Sequence, residues 1–106
     1  MTTPVVYRRG ATEIEINATL GRSRFESVDE SDMVVDLEMQ DFIVRTEDMV
    51  MAGNPIVPMN GDEIDHEGGN GVVQTFQVLA PPGEPLFKYE GEARLSMRIH
   101  TKQVSE

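Results

Sequence analysis

Polar and apolar residues alternate along much of this chain, which is the period of a strand with one buried face. From Thr12 to Leu20, the residues Ile14, Ile16, Ala18 and Leu20 interleave with Glu13, Glu15, Asn17 and Thr19. Gly21 punctuates this run. Strands are next expected over Arg24–Val28 and Met33–Gln40, joined across the polar turn Asp29-Glu30-Ser31-Asp32, and Asp41–Arg45 continues as a short apolar strand. Thr46-Glu47-Asp48 suits the cap of one helical turn reaching Met51, with its two acids at the positive end and Gly53-Asn54-Pro55 as the stop. Pro55 and Pro58 mark Ile56-Val57 as an edge or connecting segment, since neither proline can donate to a central ladder.

The sheet pattern resumes at Asp62–Asp65 and at Val72–Leu79. These flank His66-Glu67-Gly68-Gly69-Asn70-Gly71, whose glycines and asparagine supply the positive φ angles of a hairpin loop. Ala80-Pro81-Pro82-Gly83-Glu84-Pro85 reads as a stiff loop, either a plain connector or a contact surface. In the last strand Ala93, Leu95, Met97, Ile99 and Thr101 share one face, and Arg94, Ser96, Arg98, His100 and Lys102 the other. The outer face carries a cationic strip about 25 Å long at a rise of ~3.3 Å per residue, able to pair with acidic strands of the same chain or with a partner. Six or seven short strands, one helical turn and frequent Gly and Pro predict an all-β fold, a small antiparallel sandwich or barrel. Met33, Met39, Met49, Met51, Met59 and Met97 are expected mostly as core filler.

The 106 residues make one domain, 1–106, with 1–10 expected as a flexible N-terminal arm carrying Arg8 and Arg9. Nothing approaches the run of about 20 apolar residues that a membrane span needs, so the chain is expected to be soluble and made in the host cytoplasm. Charge is unevenly placed. Residues 1–25 carry four Arg and two Glu, residues 26–67 carry thirteen acids and Arg45, and residues 68–106 carry four bases and four acids, giving +2, −12 and 0 for a total of −10. A clustered surplus of acid argues against tight, sequence-independent binding of nucleic acid, which draws on grouped Lys and Arg.

Candidate chemistry is sparse. The chain has no Cys and only His66 and His100, and it lacks the G-x-S-x-G elbow of a serine hydrolase. Asp62–Glu67 is acidic but lacks the order of a calcium loop, and Gly68-Gly69-Asn70-Gly71 precedes no helix, so it is neither a P-loop nor a dinucleotide fingerprint. No enzyme activity, metal or cofactor is expected.

The run Asp41-Phe42-Ile43-Val44-Arg45-Thr46-Glu47-Asp48, then Pro58-Met59-Asn60-Gly61-Asp62-Glu63-Ile64, Thr75-Phe76-Gln77-Val78-Leu79 and Pro81-Pro82-Gly83, resembles the small head-tail joining, or head-completion, proteins of lambda-like tailed phages. Prophage-borne relatives share the Gly21–Glu26 start and the Arg98–Lys102 end. The first forty residues depart from the lambda-like pattern. The resemblance implies a structural protein of the virion neck, a homo-hexameric ring below the portal, connector or adaptor ring. There it would help retain packaged DNA, let DNA pass without tight binding, and form the surface on which tail proteins dock. A tail-side ring protein (tail terminator or tube component) and a small-ligand binding module outside any phage remain alternatives. Partner contacts are expected at Arg8, Arg9, Glu67, Asn70, Pro81, Pro82, Glu84, Arg94, Arg98 and Lys102.

Overall fold

The computed structural model describes residues 1–28 and 30–105, with the side chains of 27 and 35 excepted. Its strands are β1 (Thr3–Arg9), β2 (Thr12–Val28), β3 (Val34–Arg45), β4 (Val50–Met51), β5 (Asn54–Pro55), β6 (Glu63–Glu67), β7 (Val73–Val78), β8 (Phe87–Glu90) and β9 (Ser96–Ser105). Six antiparallel strands close on themselves in the order β1-β2-β3-β9-β7-β6, and β8 adds to β9 on the edge opposite β3. The fold is therefore the barrel of the two predicted alternatives, and closure leaves few open edges. Val5, Tyr7, Ile16, Ala18, Phe42, Val44, Ile64, Phe76, Val78, Met97 and Ile99 fill its interior. Phe42 and Phe76 meet edge to face with centroids 5.2 Å apart.

The expected arm over 1–10 is corrected to a strand. β1 pairs with β2 from Thr3 to Arg9 and with β6 from Val6 to Arg8. Val5 and Tyr7 point inward and are buried, and Pro4 sits where β6 has not yet joined, so its missing N–H breaks no bond on that side. The break expected at Gly21 is absent as well, because β2 runs unbroken to Val28. Glycine serves close packing here: a Cβ at position 21 would lie 3.2 Å from Arg98 Nη1.

β2 and β3 are long rather than short, and only their inner parts belong to the barrel. β1 pairs with β2 no further than Ala18, and β9 with β3 no further than Gln40. The remaining register, Ser23↔Met39 to Val28↔Val34, is a two-stranded ribbon projecting from one end. It raises the radius of gyration to 14.4 Å, against about 13 Å for a compact chain of this length. Val28, Met33 and Val34 at its tip are exposed, so Met33 is not core; nor is Met59, whereas Met39, Met49, Met51 and Met97 are buried. Asp32 in the connecting turn is left-handed at φ 60°; Asp29 of that turn lies outside the described residues.

The helical turn is a 3-10 turn confined to Thr46–Asp48, without a side-chain cap. Thr46 Oγ1 donates instead to the Arg94 carbonyl, and Val50–Met51 is already extended. Ala52 and Gly53, at φ 51° and 80°, turn β4 into β5. The last strand begins at Ser96, three residues later than expected, because Arg94 is left-handed at φ 55° and Leu95 is exposed. Met97, Ile99 and Thr101 do face inward.

Candidate functional site

The interior holds a packed core, so the surface carries what chemistry there is. On the outer face of β2, β3 and β9, Gly21 lies opposite Asp41, and Asp41 opposite His100. Asp41 is fully buried there. It accepts from Arg98 Nη1 at 2.6 Å and from the Ser23 hydroxyl, and its other oxygen lies 2.9 Å from His100 Nδ1. Arg98 also donates from Nε to Glu90 at 2.7 Å. Hydrogen bonds from Arg98 to Glu90 and Asp41 hold its guanidinium above its usual pKa. Phe25 packs edge-on against His100 at 5.4 Å. The network bolts the root of the ribbon to β9 and β8. Ser23 and His100 both address Asp41 and are not paired with each other, so the arrangement is not a nucleophilic triad.

Across the barrel, Arg8 forks to Asp65 at 2.6 and 3.1 Å and reaches Glu13 and Glu63. The Arg8 hydrogen bond is the main reason that the Asp65 carboxyl sits below its ordinary pKa. At the barrel end Asp62 accepts from Tyr7 Oη at 2.5 Å, Arg9 Nη2 at 2.8 Å and the Met59 amide at 3.0 Å. Burial alone would raise the Asp62 pKa, but the bonds from Arg9 and Tyr7 outweigh it and hold the carboxylate low. Burial and the bond to Asp62 push the Tyr7 phenol up.

The predicted contact residues do not form one site. Arg8 and Arg9 are engaged within the chain. Glu67 is exposed at the end of β6, and Asn70 is exposed in the following loop, its Oδ1 accepting from the Val72 amide at 3.1 Å. That loop lies at the ribbon end of the barrel. The Pro-rich loop leaves β7 toward the opposite end and flanks His100, whose N–H donates to Leu86 O and whose carbonyl accepts from Leu79 N. In it Pro81 is buried, while Pro82 and Glu84 are exposed. The cationic strip comes apart: Arg94 stacks over Tyr89 at 5.3 Å in a turn, Arg98 is bonded inside the chain, and Lys102 is exposed.

Closure sorts the remaining charges. Outward positions around β1 carry Glu13, Glu15, Glu63, Asp65 and Glu67 against Arg8. Outward positions around β9, three strands away in a ring of six and so diametrically opposite, carry Arg45, Lys88, Arg98 and Lys102 against Asp41 and Glu90. One wall is thus acidic and the other basic. Glu13, Glu15, Glu63, Asp65 and Lys88 were not expected as contact residues from the sequence, because the two walls exist only once the strands close. Among the described residues no group of three or more His, Asp or Glu side chains could hold a metal ion, and no helix is long and apolar enough to cross a membrane.

A small closed barrel whose interior is filled by side chains, with an acidic wall, a basic wall and a projecting ribbon, offers surfaces for contact rather than an enclosed ligand cavity. The sequence profile of the phage head-tail joining protein family matches residues 1–106, and the chain belongs to that family. No curated protein and no solved structure matches it. Membership gives the chain a structural role in joining phage heads to tails, with head and tail proteins as its neighbours.

Proposed function

We propose that this chain is the repeating subunit of a ring, homo-hexameric as the resemblance implies, that sits in the virion neck after DNA packaging. The ring helps retain DNA and presents the surface to which the tail docks. Family membership over the whole length is the observation that carries this reading. The two ends of the barrel differ, which suits a protein with different neighbours above and below. One end bears the ribbon and the Glu67–Gly71 loop, and the other the Pro81–Pro85 loop. The net charge of −10 supports passage of DNA without tight binding, since carboxylates repel phosphate. The part is structural rather than enzymatic.

The test is to delete the gene in its phage or prophage. Filled heads and complete tails should accumulate apart, and adding the purified protein should join them. Tails of abnormal length beside normal heads would instead place the protein on the tail side.

A further inference from the structure

We infer that the acidic wall around β1 and the basic wall around β9 meet each other, on neighbouring copies of this chain. The occupant of each wall is a second copy, and the inference rests on the ring reading above. A contact between two different faces of one subunit is heterologous, and repeated with the right rotation it closes into a ring.

Three observations point to the match. The first is a groove of about 420 Å³ in the acidic wall, lined by apolar Pro4, Val6 and Val73 and by Glu15, Asp65 and Glu67. An apolar floor with carboxylates above it fits a lysine, whose methylene stem packs on the floor while its ammonium reaches the rim. The second is the state of the charges. Glu15 and Glu67 make no ion pair among the described residues, unlike Asp65, which Arg8 holds. On the opposite wall Lys88 and Lys102 are exposed and likewise make none among the described residues, whereas Arg98 is taken by Asp41 and Glu90. Each wall therefore offers two unspent charges, of opposite sign.

The third is spacing. Lys88 lies opposite Arg98, one strand across and four residues along from Lys102, which sets the lysines about 14 Å apart by strand geometry. Glu15 and Asp65 flank Val6, so Glu67 lies two strands across and two residues along from Glu15, about 12 Å away on the same geometry. Two lysines can thus address two carboxylates at once, and complementary charge of this kind sets register and suppresses wrong contacts.

Two readouts test the inference. In the first, equal amounts of 15N-labelled and unlabelled protein are joined to filled heads, or held at high concentration in low salt, and treated with a carbodiimide that couples amines to carboxylates. Mixed-label amide links from Lys88 or Lys102 to Glu15, Asp65 or Glu67 are expected, and links from these lysines only to head or tail proteins would overturn the inference. The second uses the paired reversals Lys88→Glu with Lys102→Glu, and Glu15→Lys with Glu67→Lys. These exposed side chains make no ion pair among the described residues, and circular dichroism should show both variants folded. Each alone should lower head-tail joining about 100-fold or more through like-charge contact. Mixed one to one, they should restore it, because each variant then presents walls complementary to the other. Two inactive variants that fail to rescue each other, or two active ones, would refute the contact. Wild-type protein that forms the links yet does not join heads to tails would refute the proposed function and leave the contact standing. Joining without links or rescue would do the reverse.

Discussion

Replacing Asp41 by Ala should be the most damaging single change on the outer face of the barrel. Asp41 is fully buried and answers three donors on three side chains, Ser23, Arg98 and His100. Removing one partner of a buried, hydrogen-bonded charge pair costs about 3–5 kcal/mol. The lower end applies, because Arg98 keeps its 2.7 Å bond to Glu90 and is 24% exposed. About 3 kcal/mol at 4–8 °C per kcal/mol for a domain of this size lowers Tm by about 12–24 °C. Ser23→Ala removes one hydrogen bond to a charged acceptor and should cost about 1.5 kcal/mol. Glu90→Ala, at an ion pair whose acid is 38% exposed, should cost under about 1 kcal/mol. Thermal melts by circular dichroism and urea titration of the three variants give the order directly. A Glu90→Ala loss equal to that of Asp41→Ala would mean that the bond to Glu90, not the buried carboxylate, ties the ribbon root to β9.

The two depressed carboxylates predict an acid limb. Asp62 and Asp65 titrate below their unfolded values, so their stabilisation is complete above about pH 4 and is lost as pH falls through the lower folded values. Urea melts from pH 7 to pH 2 should show this fall, and Asp62→Asn should be less stable at pH 7 with a shallower acid limb; an unchanged limb in Asp62→Asn would remove Asp62 from the account. Before meeting the head, the chain should be monomeric or weakly associated, because a net charge of −10 opposes self-association even where two walls attract. Light scattering at high protein concentration and low salt tests this, and a stable hexamer there would refute assembly on a template.

The all-β class was legible because the alternation over Thr12–Leu20 and through Ser96–Thr101 is a local property. The Gly68–Gly71 loop was legible for the same reason, and its Gly71 takes φ 79°, a conformation that favours glycine. β1 was not. Only Val5 and Tyr7 mark its inner face, and a proline before them with two arginines after them reads locally as a tail. Its neighbour β6 lies over fifty residues away, and that pairing turns Arg8 and Arg9 from loose charges into the partners of Asp65 and Asp62. Gly21 misled in the opposite direction. A glycine in an alternating run signals a turn, but the guanidinium that needs its open space comes from Arg98, seventy-seven positions on.

The charge pattern shows why a surface is harder to read than a fold. Counted along the chain, acid concentrates between residues 26 and 67, and base is scattered to either side. Counted around the closed barrel, the order changes. Glu13 and Glu15 come from the segment with a positive balance, yet β1 brings them beside Glu63 and Asp65. Much of the middle block's acid goes elsewhere: Glu26, Asp36 and Glu38 lie on the ribbon, and Asp41 is buried on the opposite wall against Arg98, Ser23 and His100. Lys88 became part of the basic wall only because a four-residue strand after the Pro-rich loop added to β9. Strand order thus divides a chain with a large acidic surplus into two opposed walls, and the inferred contact would join these walls between neighbouring copies while the two ends stay free for the head and the tail.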